Sequence, residues 1–266
     1  MSFIPFTMVA ENEAGDTLIL TDQTYWICEY SGLNAPKAAL YSSAMAGMNG
    51  AKYIGSRLNT RNIVLTFTLL HEIADARQKI QKFFRTGEYV KLVYAGTKHC
   101  WIEGYVETTN VNQFASTPHK QVMQVSILCY DPELKDTQST TIAVADFVDD
   151  GVFNYGGDIP TGFDIDLSFT GAVTKVIFSL WGKTLTINET FASGDTLHIC
   201  TERGKKVVEK TSSSVTTNII GKVQFGSQWL ELHIGANEIG YNAADITERG
   251  RMSDITYTFT PKYEAV

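Results

Sequence analysis

Proline and cysteine are scarce in this chain, and long apolar runs are missing. Its 266 residues include 6 prolines and 21 glycines, too few of either for a collagen-like or low-complexity protein. The 4 cysteines, Cys28, Cys100, Cys129 and Cys200, form no CxxC pair. In apolar, strand-like surroundings they read as buried free thiols better than as a disulfide framework. The longest uncharged apolar run, Ile63 to Leu70, is far shorter than the ~20 residues of a membrane-crossing helix. The opening Met1-Ser2-Phe3-Ile4-Pro5 has neither the basic nor the apolar stretch of a secretory leader. The expectation is a soluble protein made in a cytoplasm, without membrane contact.

A basic stripe is missing too. Residues 1–135 hold 12 Lys+Arg and 12 Asp+Glu, whereas residues 136–266 hold 10 bases and 17 acids, so the net charge of -7 belongs to the second half. Between Asp136 and Asp166 there are seven acids and no base. Such a surface repels phosphate, which argues against specific nucleic-acid binding. The charge step near residue 135 also marks a domain boundary.

What the chain does have is aromatic area, with 14 Phe, 12 Tyr and 4 Trp, and the two-residue rhythm of half-buried strands. In the first half, Thr17–Thr21, Tyr25–Tyr30, Asn62–Leu70, Tyr89–Ala95, His99–Thr108 and Gln121–Tyr130 alternate apolar with polar and are rich in Val, Ile, Thr and aromatics. Gly96 between two of these runs predicts a hairpin. Glu72 to Arg85 breaks the rhythm: Ile73, Ala76, Ile80, Phe83 and Phe84 fall at helical spacing. Acids open this helix and bases close it, which complements the dipole; Asp75 and Lys79 form an i,i+4 pair, and Gly87 supplies the stop. Ser42–Ser56 reads as a mobile loop or extended arm, and Asn110–Pro118 as a second long loop. After a polar acidic connection, regular short strands follow at Gly162–Phe169, Thr174–Leu180, Lys183–Asn188, Thr196–Thr201, Lys205–Lys210, Val215–Ile219, Trp229–Ile234 and Asp254–Pro261, with glycine turns between them and no helical stretch. That pattern is a β-sandwich or jelly roll.

Catalytic motifs are absent. No G-x-S-x-G, S-x-x-K or G-x-G-x-x-G occurs. Gly182-Lys183-Thr184 mimics the end of a phosphate-binding loop, but Ile177 stands where its first glycine belongs and a strand follows instead of a helix. His99 and Cys100 point to opposite faces of a strand. His198 and Cys200 share a face, yet two ligands fall short of a zinc site. Asp164 and Asp166 on one strand face would suit a cation or sugar-nucleotide, or simply face water. Asn188-Glu189-Thr190 matters as a glycosylation sequon only in a secreted chain. In Trp229-Leu230-Glu231-Leu232-His233, alternation puts Trp229, Glu231 and His233 together on one face. An aromatic plane beside a carboxylate and an imidazole suits a sugar; the competing reading is a sandwich strand edged by a Trp lid.

Several ordered segments resemble the N-terminal domain of phage distal tail (Dit) proteins, the siphovirus tail-component family. They are Asp22-Gln23-Thr24-Tyr25-Trp26, Gly32-Leu33-Asn34-Ala35-Pro36, Gly47-Met48-Asn49-Gly50, Arg61-Asn62-Ile63-Val64-Leu65, Ala76-Arg77-Gln78-Lys79-Ile80 into Phe83-Phe84-Arg85-Thr86-Gly87, Ile102-Glu103-Gly104-Tyr105-Val106-Glu107 and Gln124-Val125-Ser126-Ile127-Leu128-Cys129-Tyr130-Asp131-Pro132. Gly235-Ala236-Asn237-Glu238-Ile239-Gly240-Tyr241 is similar to a strand-end motif of the family's galectin-like C-terminal domain, although many members carry Arg where this chain has Gly240. The resemblance implies a mainly β protein. Residues 1–133 would be a tail-tube-like, ring-forming β-sandwich with one α-helix, 134–160 an acidic linker, and 161–266 a galectin-like β-sandwich of jelly-roll type. It further implies a structural baseplate hub at the distal end of the phage tail in the virion, assembled in the bacterial cytoplasm. This hub would be a homo-hexamer that joins the tail-tube protein to the tail-tip and receptor-binding proteins, with no enzymatic activity, cofactor or metal. The alternative is a carbohydrate-binding module for host cell-wall adhesion.

Overall fold

The computed structural model describes residues 6–44, 46–47, 49–112, 121–144 and 152–266. Its contacts divide the chain into two compact units, Met1–Thr137 with Tyr263–Val266, and Gln138–Lys262.

The first unit contains β1 (Thr7–Asn12), β2 (Thr17–Ile19), β3 (Trp26–Ser31), β4 (Ala38–Ala44), β5 (Ala51–Leu58), β6 (Arg61–Leu69), α1 (Ile73–Phe83), β7 (Tyr89–Ala95), β8 (His99–Asn112), β9 (Gln121–Cys129) and β10 (Leu134–Asp136). The main sheet runs β2-β1-β7-β8-β9-β6-β3, with β10 beside β8. Alternation sets its register: on β6, Ile63, Leu65 and Phe67 are fully buried while Asn62, Val64 and Thr66 face the other way. The sheet curls around its core, because Tyr30 on edge strand β3 meets Tyr94 on β7 with ring centroids 6.4 Å apart, across a sheet in which the two strands are not neighbours. Helix α1 buries Ala76 and Ile80, and Phe84 beyond it packs 6.1 Å from Phe67. Lys79, expected to pair with Asp75, instead lies over the Trp26 ring at 5.6 Å, an attraction of cation to aromatic face.

Arg61, only 3% exposed, ties the unit together. Its guanidinium donates to the carbonyls of Pro132 (2.8 Å), Gly32 (3.1 Å), Asn34 (2.9 Å) and Glu264 (2.9 Å). Gly32 has φ +91°, and a Cβ there would run into the Asn62 carbonyl; this position therefore requires glycine.

The second unit contains β11 (Thr140–Ala143), β12 (Val152–Tyr155), β13 (Asp164–Phe169), β14 (Val176–Leu180), β15 (Lys183–Ile187), β16 (Thr196–Cys200), β17 (Val207–Ser212), β18 (Val215–Asn218), β19 (Gly235–Ala243), α2 (Ile246–Arg249) and β20 (Met252–Phe259); β21 (Lys262–Tyr263) ends the series. A six-stranded sheet, β11-β20-β13-β16-β17-β18, and a four-stranded sheet, β12-β19-β14-β15, enclose one core. Phe153 of the smaller sheet stacks on Phe259 of the larger at 5.7 Å, and Phe169 stacks on Phe191 at 4.2 Å. This is a two-layer sandwich.

The structure differs from the sequence reading in a few places. The stretch 134–160 contributes β10, β11 and β12 to sheets, and residues 263–266 cluster with the first unit. Trp229–Ile234 is not a strand: Leu230 and Leu232 are buried as alternation requires, but pairing is limited to one bridge, Thr161 to Leu232. A four-residue helix, α2, interrupts the second half, its start capped by the Asp245 carboxylate, which accepts from the Glu248 N–H at 2.8 Å. Ser42–Ser56 lies largely within the β4–β5 hairpin. The Asn110–Pro118 loop begins two residues before β8 ends, and its remainder lies outside the described residues.

Candidate functional site

The residues singled out in the sequence go to different neighbours. Trp229 is partly buried against the sandwich core and carries the Lys206 ammonium 5.2 Å from its ring centre. Glu231 is partly exposed. His233 packs its ring 5.3 Å from Trp181, a residue the sequence reading passed over. No hydrogen bond or ring contact joins Trp229, Glu231 and His233 to one another among the described residues.

His198 and Asp166, on neighbouring strands β16 and β13, are joined Nδ1 to Oδ1 at 2.7 Å. Among the described residues no group of three or more His, Cys, Asp or Glu side chains is placed to hold a metal ion, and no helix is long and apolar enough to cross a membrane. Gly182-Lys183-Thr184 forms the turn and first residues of the β14–β15 hairpin, with no helix behind it to receive a phosphate. All four cysteines are free. Burial pushes the thiols up, to about 12 at Cys28 and Cys129 and to about 11 at Cys100 and Cys200. Thiolate chemistry at neutral pH is disfavoured at every one of them.

The first unit instead offers surface. β4 and β5 form a sheet of two strands, separate from the main sheet, paired from Ala38–Leu58 to Ala44–Ala51. Such a ribbon is marginal on its own. It nevertheless displays Leu40, 72% exposed, and Ile54, 66% exposed, with Tyr41, Tyr53 and Leu58 also exposed. On the main sheet, an open depression of about 390 Å³ is lined by Gly87, Tyr105, Val106, Glu107, Leu128 and Tyr130. Clustered exposed apolar side chains of this kind are what a contact surface is built from. The sequence reading placed an arm here but named none of its apolar residues, because Leu40 and Ile54 carry no periodic signal that separates a docking side chain from a core one.

The two units match two phage-tail families. Residues 28–129 match the phage tail protein RIFT-related domain; residues 156–263 match the C-terminal domain of the siphovirus-type tail component. The chain belongs to the siphovirus distal tail protein family. This distal tail protein is similar in fold to the Dit protein of phage SPP1, described as a paradigm of the hub adsorption apparatus in phages infecting Gram-positive bacteria. The TM-score is 0.71 at 16% identity, over 97% of this chain and 99% of that one. A chain of the phage P2 baseplate in its activated conformation aligns over 98% of this chain and 100% of that one, at TM-score 0.49 and 8% identity. No curated protein matches the sequence. In this distal tail protein the β4–β5 ribbon, with five exposed large apolar side chains, is the candidate contact surface of the first unit.

Proposed function

We propose that this distal tail protein is a ring-forming baseplate hub without catalytic activity. Six copies of the tail-tube-like part close around a channel and join the tail tube to the tail-tip and receptor-binding proteins at the distal end of the virion tail. Assembly takes place in the host cytoplasm. The observation that carries this reading is the β4–β5 ribbon, which stands outside the main sheet with Leu40, Tyr41, Tyr53, Ile54 and Leu58 exposed. A cyclic ring needs heterologous contacts, in which one patch of each subunit meets a different patch of the next. The apolar ribbon and the depression lined by Tyr105 and Tyr130 are two different patches that can meet in this way. The balanced charge of residues 1–135 lets neighbouring copies approach without long-range repulsion, and the acidic second half keeps the assembly soluble.

Light scattering after size exclusion, with negative-stain imaging, tests this reading. The expected result is a six-membered ring for the wild type and smaller species for Leu40→Asp combined with Ile54→Asp, at unchanged melting temperature. A wild type that stays monomeric at high concentration would overturn it.

A further inference from the structure

We propose that the outer face of the four-stranded sheet is a saccharide-binding cleft built on Trp181. Strand alternation shapes it. On β14, Val176, Phe178 and Leu180 enter the core and Ser179 faces out; on β19, Ile239 faces in while Ala236, Glu238 and Gly240 face out. Ser179 lies opposite Gly240, and Val152 on β12 lies opposite Glu238. These outward side chains and Trp181 line a cleft of about 590 Å³, within the range of small-ligand sites. Its floor is open because position 240 is glycine: a Cβ there would stand 2.5 Å from the Ser179 hydroxyl.

Trp181 stands at the end of this trough in an unusual way. With Gly182 it makes the two-residue turn between β14 and β15, at φ +53° and +72°. Such turns favour Asn-Gly, and a bulky residue at positive φ is a genuine outlier. Burial does not repay the strain, since Trp181 remains 56% exposed. The ring is nonetheless fixed. Its Nε1–H donates to Asn237 Oδ1 at 3.0 Å, and His233 packs against it at 5.3 Å with planes 32° apart. Asn237, itself buried, accepts from the His233 N–H at 2.8 Å and donates to the His233 and Gly235 carbonyls at 2.7 and 2.8 Å. One edge and one face of the indole are thus held from behind, and the rest lines the cleft.

The lining chemistry selects the ligand. An aromatic face attracts the polarised C–H face of a pyranose. The Ser179 hydroxyl and the Glu238 carboxylate have no hydrogen-bond or ion-pair partner among the described residues, so both can meet sugar hydroxyls. Among the described residues no Lys or Arg lines the cleft, and Glu238 disfavours phosphate, so the ligand class is a neutral saccharide rather than a phosphodiester polymer. His233, expected on a sugar-facing strand, serves here as the prop behind the ring.

The test titrates the full chain with lactose, cellobiose and chitobiose, and with a glycerol-phosphate oligomer, by saturation-transfer NMR and tryptophan fluorescence. At least one disaccharide binds at millimolar concentration and the oligomer does not. Trp181→Asn weakens binding at least tenfold while its melting temperature holds or rises, because asparagine suits the left-handed turn. Glu238→Ala also weakens binding at unchanged melting temperature. The proposal is overturned if no disaccharide binds the wild type, if the oligomer binds instead, if either variant binds as well as wild type, or if Trp181→Asn melts clearly lower. A Trp181→Asn chain that loses ring assembly would make this face a protein contact and would also overturn it. The cleft lies wholly within residues 138–262, whereas the ring reading is tested by the ribbon variants, so each can fail alone.

Discussion

The two units use the same strand grammar and finish their surfaces differently. In the first, large exposed apolar side chains gather along Leu40, Tyr41, Tyr53, Ile54 and Leu58, with Tyr105 and Tyr130 on the main sheet. In the second, Val215, Phe225 and Ile246 are exposed at turns and element ends, and Trp181 and Val152 share the lining of one cleft. The second unit also fills its interior with aromatic rings from both sheets. The first relies more on aliphatic side chains around Trp26, Phe67 and Phe84. The first unit thus carries its exposed apolar side chains chiefly on a ribbon, the second in a cleft and at scattered turns. The charges agree, being balanced in residues 1–135 and acidic beyond.

The sharpest way to break this contrast is to mutate a buried and an exposed apolar residue in parallel. Phe67→Ala and Phe178→Ala, each at a fully buried position, should each cost about 3–5 kcal/mol in denaturant unfolding. Leu40→Ala should stay within about 0.5 kcal/mol. A large loss at Leu40 would mean the ribbon belongs to the fold rather than to an interface. Next in size is Arg61→Ala, which orphans buried carbonyls and should cost roughly 2–3 kcal/mol. Arg61→Lys should recover little, because an ammonium cannot fork to four acceptors.

The second unit offers a smaller, pH-dependent effect. Asp195, 4% exposed, accepts from the Ala192 N–H at 2.9 Å and pairs with Lys210 at 3.3 Å. Burial alone would raise its pKa, but these partners and Ser212 outweigh it and hold it below 3.8. A carboxylate depressed on folding stabilises above its unfolded pKa, and that contribution fades as pH falls through the folded one. Asp195→Asn should therefore lower the melting temperature at neutral pH, by about 1–2 kcal/mol of stability. The gap from wild type should narrow as pH falls below the ordinary carboxylate range and through the depressed folded-state pKa.

The thiols give the smallest effect. Raised on folding, they remain protonated in the native protein while unfolded chains ionise near 9. Their stabilisation is complete at neutral pH and erodes as pH climbs past 9, and a disulfide reagent at pH 8 should label Cys100 and Cys129 at the rate of opening.

Much of this was legible in the sequence where side chains alternate over several residues. Tyr89–Ala95 coincides with β7, and the apolar spacing from Ile73 to Phe84 falls on α1. What escaped has physical causes. β10, β11 and β12 are three or four residues long, too short for a period to emerge from an acidic stretch. Trp229–Ile234 shows the converse. Alternation reports which side chains are buried, and it did so correctly at Leu230 and Leu232, but it does not report whether the backbone has a neighbour to pair with. The sequence placed Trp181 between the strands Thr174–Leu180 and Lys183–Asn188, but a tryptophan in a glycine turn carries no signal of what its ring meets. Only the fold reveals that Asn237 and His233 hold the ring in place.

The return of Tyr263–Val266 to the first unit makes Gln138–Lys262 an insertion rather than an appendage. Arg61 grips the Glu264 carbonyl, and Lys98 donates to that of Ala265 at 3.0 Å, so both ends of the inserted segment are anchored in the same body. A single protease nick at one junction would leave the module attached by the other strand of the leash. Evolution can exchange such a cassette whole, provided its replacement enters and leaves at the same two points.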